Sequence, residues 1–493
     1  MYNNLSEIKY IHMLGINGIS MSGLAEILLS RGIRVSGSDL TASDRTERLK
    51  ELGAVIYSGN SADNIKAGDP PDLLVYTAAA APDNPERLRA AALGIPCADR
   101  ARLLGDIMAG HKRSIGVTGT HGKTTTASMA AAILLADGLD PTINIGGEFD
   151  LIGGNSRIGG GDIFLAEACE YTDTFLKLRP SIAVITNIEY DHSDYFKDIE
   201  QLRASFLKYA GQAGSAVVAN ADDPNTGIIR ERWFNGGEST SCVCGEGAAE
   251  CNAAGHGEKR WITFGLKSGE ADFYAYDIRN TDAGGSEFFI AAKEYAREAR
   301  IRLNAPGLYN VYNALAAAAA AIIAGCSFEA AAEGLEAFGG LKKRFEYKGS
   351  INGFDIFDDY AHHPTAVRNA LGAARKRAGG GRVFCVFQPH TYTRTRTFLA
   401  EFAEALAAAD HVLLADIFPA READPGDISS ALLCDEVNRR GGNAAYFPSG
   451  NAPGYAAGFA AIADRILSAA KPGDLVLTMG AGRASDVADI LIK

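Results

Sequence analysis

Gly116-Val117-Thr118-Gly119-Thr120-His121-Gly122-Lys123-Thr124-Thr125 is the stretch on which the reading of this chain turns. The apolar lead-in from Ser114 to Val117 reads as a buried strand, and Gly119 and Gly122 open a loop with no side chains in the way. Lys123 and Thr124 then begin a helix that runs through Ala127 to Ala136 and ends at Asp137 and Gly138. In such a loop, backbone N–H groups wrap a phosphate at a helix N-terminus, where the helix dipole also favours negative charge. Gly119, Thr120, His121, Gly122, Lys123, Thr124 and Thr125 are therefore the expected ATP-binding loop. Lys123 is expected at the terminal phosphates and the Thr124 hydroxyl on Mg²⁺. The spacing departs from the common pattern, with two residues rather than four between Gly119 and Gly122.

Around that stretch lie 493 residues, enough for about three domains. The net charge of −12 argues against nucleic acid as a partner, because a phosphate backbone needs a basic face. Anionic small molecules remain open, since they need only a local cluster of donors. The eight cysteines follow no disulfide-like spacing, which fits a reducing cytoplasm. Met1 to Tyr10 mixes charge with polarity and does not read as a signal peptide. The apolar run Ala314 to Ala324 is too short to span a bilayer. The expectation is a soluble cytoplasmic protein with no nucleic-acid or membrane partner, either a monomer or a homodimer.

Upstream, Ile8 to Leu14 reads as a strand, Gly15-Ile16-Asn17-Gly18 as a tight turn, and Met21 to Ser30 as a helix. A second strand starts at Arg34 and Val35 and ends on Ser36-Gly37-Ser38-Asp39. An acidic residue about 20 positions past the glycines makes this a dinucleotide-type βαβ unit, although Asn17 stands where a glycine is usual. Leu73 to Tyr76 gives another strand, and Cys97-Ala98-Asp99-Arg100 precedes a short helix.

Downstream, Gly146-Gly147 to Gly161 reads as a glycine-rich loop. Ile163 to Ala166 is an apolar strand running into Glu167, with Cys169 and Glu170 beyond it. A carboxylate ending a strand after a phosphate loop is placed to hold Mg²⁺ or anchor water. Ile182 to Ile185 ends in Thr186-Asn187-Ile188-Glu189-Tyr190-Asp191-His192, where His192 reads as a metal or phosphate contact. Cys242, Cys244, Cys251 and His256 match no zinc finger or ribbon spacing. Trp261 to Phe264, Phe273 to Ile278 and Phe288 to Ala292 read as antiparallel strands. Asn310 and Asn313, one turn apart at a helix start, either cap that helix or read a base edge. After Gly339-Gly340, four strands end in polar or glycine-rich stretches: Asp358 to Pro364, Gln388 to Arg394, Asp416 with Arg421-Glu422, and Met479 to Gly482. Alternating with helices, they predict a doubly wound sheet with one working edge.

These stretches together resemble the Mur ligases of peptidoglycan synthesis, over essentially the whole chain. They include Gly15 to Gly18 with Met21-Ser22-Gly23, Gly119 to Thr124, Asp191-His192, Asn310 with Asn313, Arg344-Phe345, Asp358 to Pro364, and Gln388-Pro389-His390 with Arg394. The resemblance implies three α/β domains: a Rossmann-like one over 1–110 for the UDP end of the substrate, a P-loop one over 111–338 for ATP, and a doubly wound one over 339–493 for the amino acid. It implies a ligase that uses ATP to join L-alanine to UDP-N-acetylmuramate through an acyl phosphate. A relative that attaches a tripeptide to the same nucleotide sugar is the alternative. By resemblance Lys123, Glu167 and His192 are catalytic, and Thr124, Glu167 and His192 hold Mg²⁺. Asn310, Asn313, Arg344 and Asp359 meet the nucleotide. Gly15, Asn17, Gly18, Ser38, Asp39 and Arg100 meet the UDP substrate, and Tyr360, His362, His390 and Arg394 surround the alanine. Thr391 stands where some members have Arg, so recognition of the alanine carboxylate falls more on Arg394.

Overall fold

The computed structural model describes residues 5–77, 80–235, 259–267, 270–281, 284–450 and 455–493. The residues Cys242, Cys244, Cys251 and His256 lie outside them. Three sheets organise the chain, each built on parallel strands connected through helices. The first is ordered Val55–Ser58, Arg34–Asp39, Tyr10–Leu14, Leu73–Tyr76, Cys97–Asp99, all parallel. Its order reverses beside Tyr10–Leu14, so the turn at Gly15 opens at the point where ligands sit in sheets of this kind.

The second sheet has ten strands. Its parallel centre runs Ala216–Asn220, Ile182–Ile185, Arg113–Thr118, Ile163–Glu167, Thr142–Phe149. The phosphate-loop strand Arg113–Thr118 lies between Ile182–Ile185 and Ile163–Glu167, so the loops carrying Lys123, Glu167 and His192 leave from three adjacent strand ends. One face is covered by Lys123–Ala136, Leu308–Ile323 and Phe328–Ala337. The alanines from Ala316 to Ala321 are all buried there, which lets helix approach helix closely. No described helix is long and apolar enough to cross a membrane.

The other face of this sheet shares a core with the first domain. Leu103, Leu104, Ile107 and Met108 of the helix Arg100–Ala109 pack with Phe164, Phe175 and Tyr209. Gly105 lets that helix lie against the chain at Lys177, where an added Cβ would come within 2.2 Å of the Lys177 carbonyl oxygen. The third sheet is ordered Glu346–Ile351, Phe354–Asp359, Leu475–Met479, Val383–Phe387, His411–Leu414, Ala444–Tyr446. It is parallel apart from its first hairpin, with a hydrophobic core on each face. The architecture is a three-domain α/β fold.

Two sequence expectations need correction, and one strand was not anticipated. The stretch read as a glycine-rich loop is the strand Thr142–Phe149 paired with Gly154–Arg157. Gly146 is there because a carboxylate approaches: a Cβ on it would sit 2.5 Å from Glu167 Oε2, while one on Gly147 would sit 3.1 Å from Thr124 Cγ2. The strand Arg260–Gly265 is parallel to Ala216–Asn220, and the antiparallel part is made by Phe273–Asn280, Ser286–Ala292 and Arg297–Leu303. That last strand escaped notice because its sequence, Arg-Glu-Ala-Arg-Ile-Arg-Leu, is that of a charged edge strand.

Candidate functional site

A cleft of about 820 Å³ lies between the second and third domains. The loop Thr120–Thr125, Glu167, His192, Asn310, Asn313, Arg344, Asp359, Tyr360, His362, His390 and Arg394 all line it. The structure thus gathers into one space nearly all residues expected at ATP and at the amino acid. Gly119 lies at the loop's entry, with its carbonyl 2.6 Å from Lys123 Nζ.

The side chain of Lys123 folds back over its own loop and reaches Glu170, Nζ to Oε1 at 3.0 Å. Burial works against its charge, but Glu170 outweighs that and raises its pKa. Glu170 is itself 1% exposed and lies 3.5 Å from His192 Nε2. Burial opposes its ionisation, and Lys123 and His192 hold its pKa below the ordinary value. Sequence reasoning left Glu170 without a role, although its place three residues after Glu167 was visible. Tyr171 lies over His192, with ring centroids 4.7 Å apart.

Glu167 Oε2 accepts from the Thr124 hydroxyl at 2.8 Å and from the Gly146 N–H at 3.0 Å. Both bonds end on Oε2, which leaves Oε1 for a cation. A hydroxyl and a carboxylate at the mouth of a phosphate loop are the hard oxygen donors Mg²⁺ takes, and the bare backbone at Gly146 makes room for them. His192 joins this pair only as a lining residue of the same cleft, and its side chain meets Glu170 and Tyr171.

The two asparagines hold the phosphate-loop side of the cleft together. Asn310 donates to the Pro306 carbonyl at 2.7 Å, Asn313 donates to Asn310 at 3.0 Å, and Thr126 donates to Asn313 at 3.2 Å. They therefore fasten the start of Leu308–Ile323 to the phosphate-loop helix. Asp359 accepts backbone N–H groups of Phe345 and Ala361 at 2.7 Å each, and burial raises its pKa. It shapes the turn that carries Arg344, whose guanidinium lies 5.2 Å from the Tyr360 ring.

On the far wall, Arg394 makes a paired contact with Asp191, Nε to Oδ1 at 2.9 Å and Nη2 to Oδ2 at 3.3 Å. Both side chains are under a tenth exposed. Burial opposes the Asp191 charge, yet Arg394 holds its pKa well below the usual carboxylate range. The guanidinium expected to be free for a carboxylate is thus tied across the domain boundary. Its Nη1 also faces His390 Nδ1 at 3.2 Å. Asp191 stands in the matching Asp191-His192 stretch, but its pairing with Arg394 is not visible in the sequence because the partner lies 203 residues away. His362 Nδ1 donates to the Tyr360 carbonyl at 2.8 Å, which leaves Nε2 as an acceptor. Burial and then Arg394 keep both imidazoles neutral, His390 with a pKa of about 4.

The residues expected at the UDP substrate stand apart from this cleft. Gly15, Asn17 and Gly18 form the turn above Tyr10–Leu14, and the Asn17 N–H donates to Asp39 Oδ2 at 3.1 Å. The Asn17 amide also reaches the Thr41 hydroxyl at 3.1 Å, so the side chain in place of glycine pins the neighbouring loop. Ser38 is buried and donates to Glu86 Oε2 at 2.8 Å. Arg100 links the two regions, lining a small cavity with Ser20, Asn144, Gly146 and Glu167.

Family models match along the chain. The Mur ligase family catalytic domain matches residues 10–112, the Mur ligase middle domain 117–321, and the Mur ligase glutamate ligase domain 343–482. A UDP-N-acetylmuramate–L-alanine ligase of Acetivibrio thermocellus is 45% identical over 491 residues, covering 99% of this chain and 96% of its own. One of Agathobacter rectalis is 44% identical and covers 99% of each. Among solved structures, UDP-N-acetylmuramate–alanine ligase MurC from Thermotoga maritima superposes with a TM-score of 0.74 at 27% identity, covering 98% of both chains.

Proposed function

The chain belongs to the Mur ligase family, and from that premise we infer that it is an ATP-dependent ligase joining L-alanine to UDP-N-acetylmuramate. The observation that carries this reading is the single cleft where Lys123, Thr124 and Glu167 of the phosphate loop face Tyr360, His390 and Arg394 of the third domain. One reactant needs a phosphate grip, another an amino-acid grip, and the cleft offers both. Residues 1–110 are assigned to the UDP end, 111–338 to ATP and 339–493 to the amino acid. The reaction belongs in the cytoplasm, where ATP is supplied.

In the proposed mechanism the lactyl carboxylate of UDP-N-acetylmuramate attacks the γ-phosphate of ATP, and the bond to ADP breaks. The alanine nitrogen then attacks the acyl carbon of the resulting acyl phosphate, and phosphate leaves with the shared oxygen. The first step brings two anions together. Lys123 offsets their repulsion by exchanging Glu170 for the phosphates, which is electrostatic catalysis by a preplaced charge. Thr124, Glu167 and His192 would hold Mg²⁺, which supplies further charge neutralisation at the phosphates when bound. Arg100, beside Glu167, suits the carboxylate end of the muramoyl group. The free Nε2 of His362 is an acceptor for the alanine ammonium. With parts drawn from three domains, closure completes the site and excludes water.

The test is phosphate release from ATP with and without each substrate, followed by product mass. Release that needs both UDP-N-acetylmuramate and L-alanine, with a product heavier by one alanine residue, is expected. Release with a tripeptide in place of alanine, and none with alanine, would contradict the assignment.

A further inference from the structure

Beside the cleft, three metal-competent side chains converge from different parts of the chain. His121 comes from the phosphate loop, Glu189 from the loop after Ile182–Ile185, and His363 from the N-terminus of the helix Pro364–Ala378. Among the described residues, their donor atoms form a grouping within 4.8 Å of one another. His121 Nε2 lies 2.7 Å from Glu189 Oε2, and His363 Nδ1 lies 3.9 Å from the same oxygen. The two imidazole rings are 4.8 Å apart.

The surroundings orient these groups. His363 Nε2 lies 3.2 Å from the Tyr190 carbonyl, which can only accept, so Nε2 carries the proton. Nδ1 is then the acceptor on the side of Glu189; it takes the Thr365 N–H as a long helix cap at 3.4 Å, a contact an ion would have to displace. A ring N–H held by a backbone carbonyl is the usual support of a metal-bound histidine. The other oxygen of Glu189 accepts the Thr365 hydroxyl at 2.5 Å, which fixes the carboxylate in the same manner. His121 and Glu189 are partly exposed and line the cleft, so an ion enters from solvent and keeps a position for water.

We propose that His121, Glu189 and His363 form a second metal site, for a transition ion of the Zn²⁺ class, bridging the phosphate loop and the third domain. Two imidazoles and one carboxylate with an open position are a zinc-type ligand set. Mg²⁺ competes weakly there, because it favours oxygen donors and two of the three ligands are imidazoles. An ion in this site ties the third domain to the ATP loop.

The site is tested by titrating Co²⁺ into the full-length protein in excess Mg²⁺ and recording the visible d–d absorption. One equivalent of four- or five-coordinate Co²⁺, displaced by Zn²⁺, is expected. His363→Ala and Glu189→Gln should each weaken it at least about tenfold. His121→Asn, at a partly exposed side chain, should do the same and guards against misfolding of the His363 variant. Glu167→Gln, in the oxygen site, should leave the band in place. No band in the wild-type protein overturns the proposal. So does a band of unchanged affinity in the His363 and His121 variants, or one with thiolate charge-transfer absorption, which would put the ion on cysteines.

Discussion

Lys123 is held by Glu170 and two carbonyls of its own loop, so in the proposed mechanism its ammonium is placed before the phosphates arrive. Lys123→Ala is expected to lose on the order of 3 kcal/mol of transition-state stabilisation, about a hundredfold in kcat/KM. Turnover within a few-fold of wild type would remove Lys123 from the mechanism. The buried pair Asp191–Arg394 joins two domains. Removing either partner leaves an unpaired buried charge, at a cost of about 3–5 kcal/mol. A double-mutant cycle in urea unfolding should show a coupling of about 1–3 kcal/mol, and additive effects would mean the pair is not formed in solution. His363 and His390 keep pKa values of about 4 when folded, against about 6.5 in an unfolded chain. Between those values the unfolded chain binds more protons, so stability falls as pH drops from about 6.5 towards 4. Each imidazole contributes a slope of at most about 1.4 kcal/mol per pH unit. Denaturation at a series of pH values checks this, and His363→Gln should flatten the slope. The residue scale was also where sequence reading stopped soonest. Lys123, Thr124 and Glu167 stood out because strand, loop and helix signals are local. Arg394 with Asp191, and His121 with Glu189 and His363, come together only through folding.

At the scale of elements, strand ends were legible wherever an apolar run met a polar or glycine-rich stop, as at Thr118, Glu167, Asp359 and Met479. Thr142–Phe149 was not legible because its paired glycines, one of which admits the Glu167 carboxylate, look like a loop in sequence. Arg297–Leu303 was hidden by the charges that protect an exposed edge. The helix Arg100–Ala109 makes the close approach between the first two domains. Gly105→Ala should raise helix propensity by about 1 kcal/mol, yet its Cβ has no room beside the Lys177 carbonyl. The expected net result is destabilisation of about 1–3 kcal/mol, seen as a lower Tm. A higher Tm would mean that the two domains can separate at little cost.

For the whole molecule, three α/β units contribute unequal shares to one reaction. The first two domains share a continuous core, while the third meets the second across the cleft through polar contacts such as Arg394–Asp191 and Thr365–Glu189 and through Tyr190 packed against Phe398. That division suits a fixed nucleotide platform and a third domain that opens to admit reactants. The central claim is that the muramoyl carboxylate is phosphorylated in this cleft before alanine takes the acyl group. It is tested by supplying UDP-N-acetylmuramate whose carboxylate oxygens carry a heavy isotope, with ATP, Mg²⁺ and L-alanine. The account predicts one heavy oxygen in the released phosphate and one in the new amide. Unlabelled phosphate, or label in AMP, would contradict it.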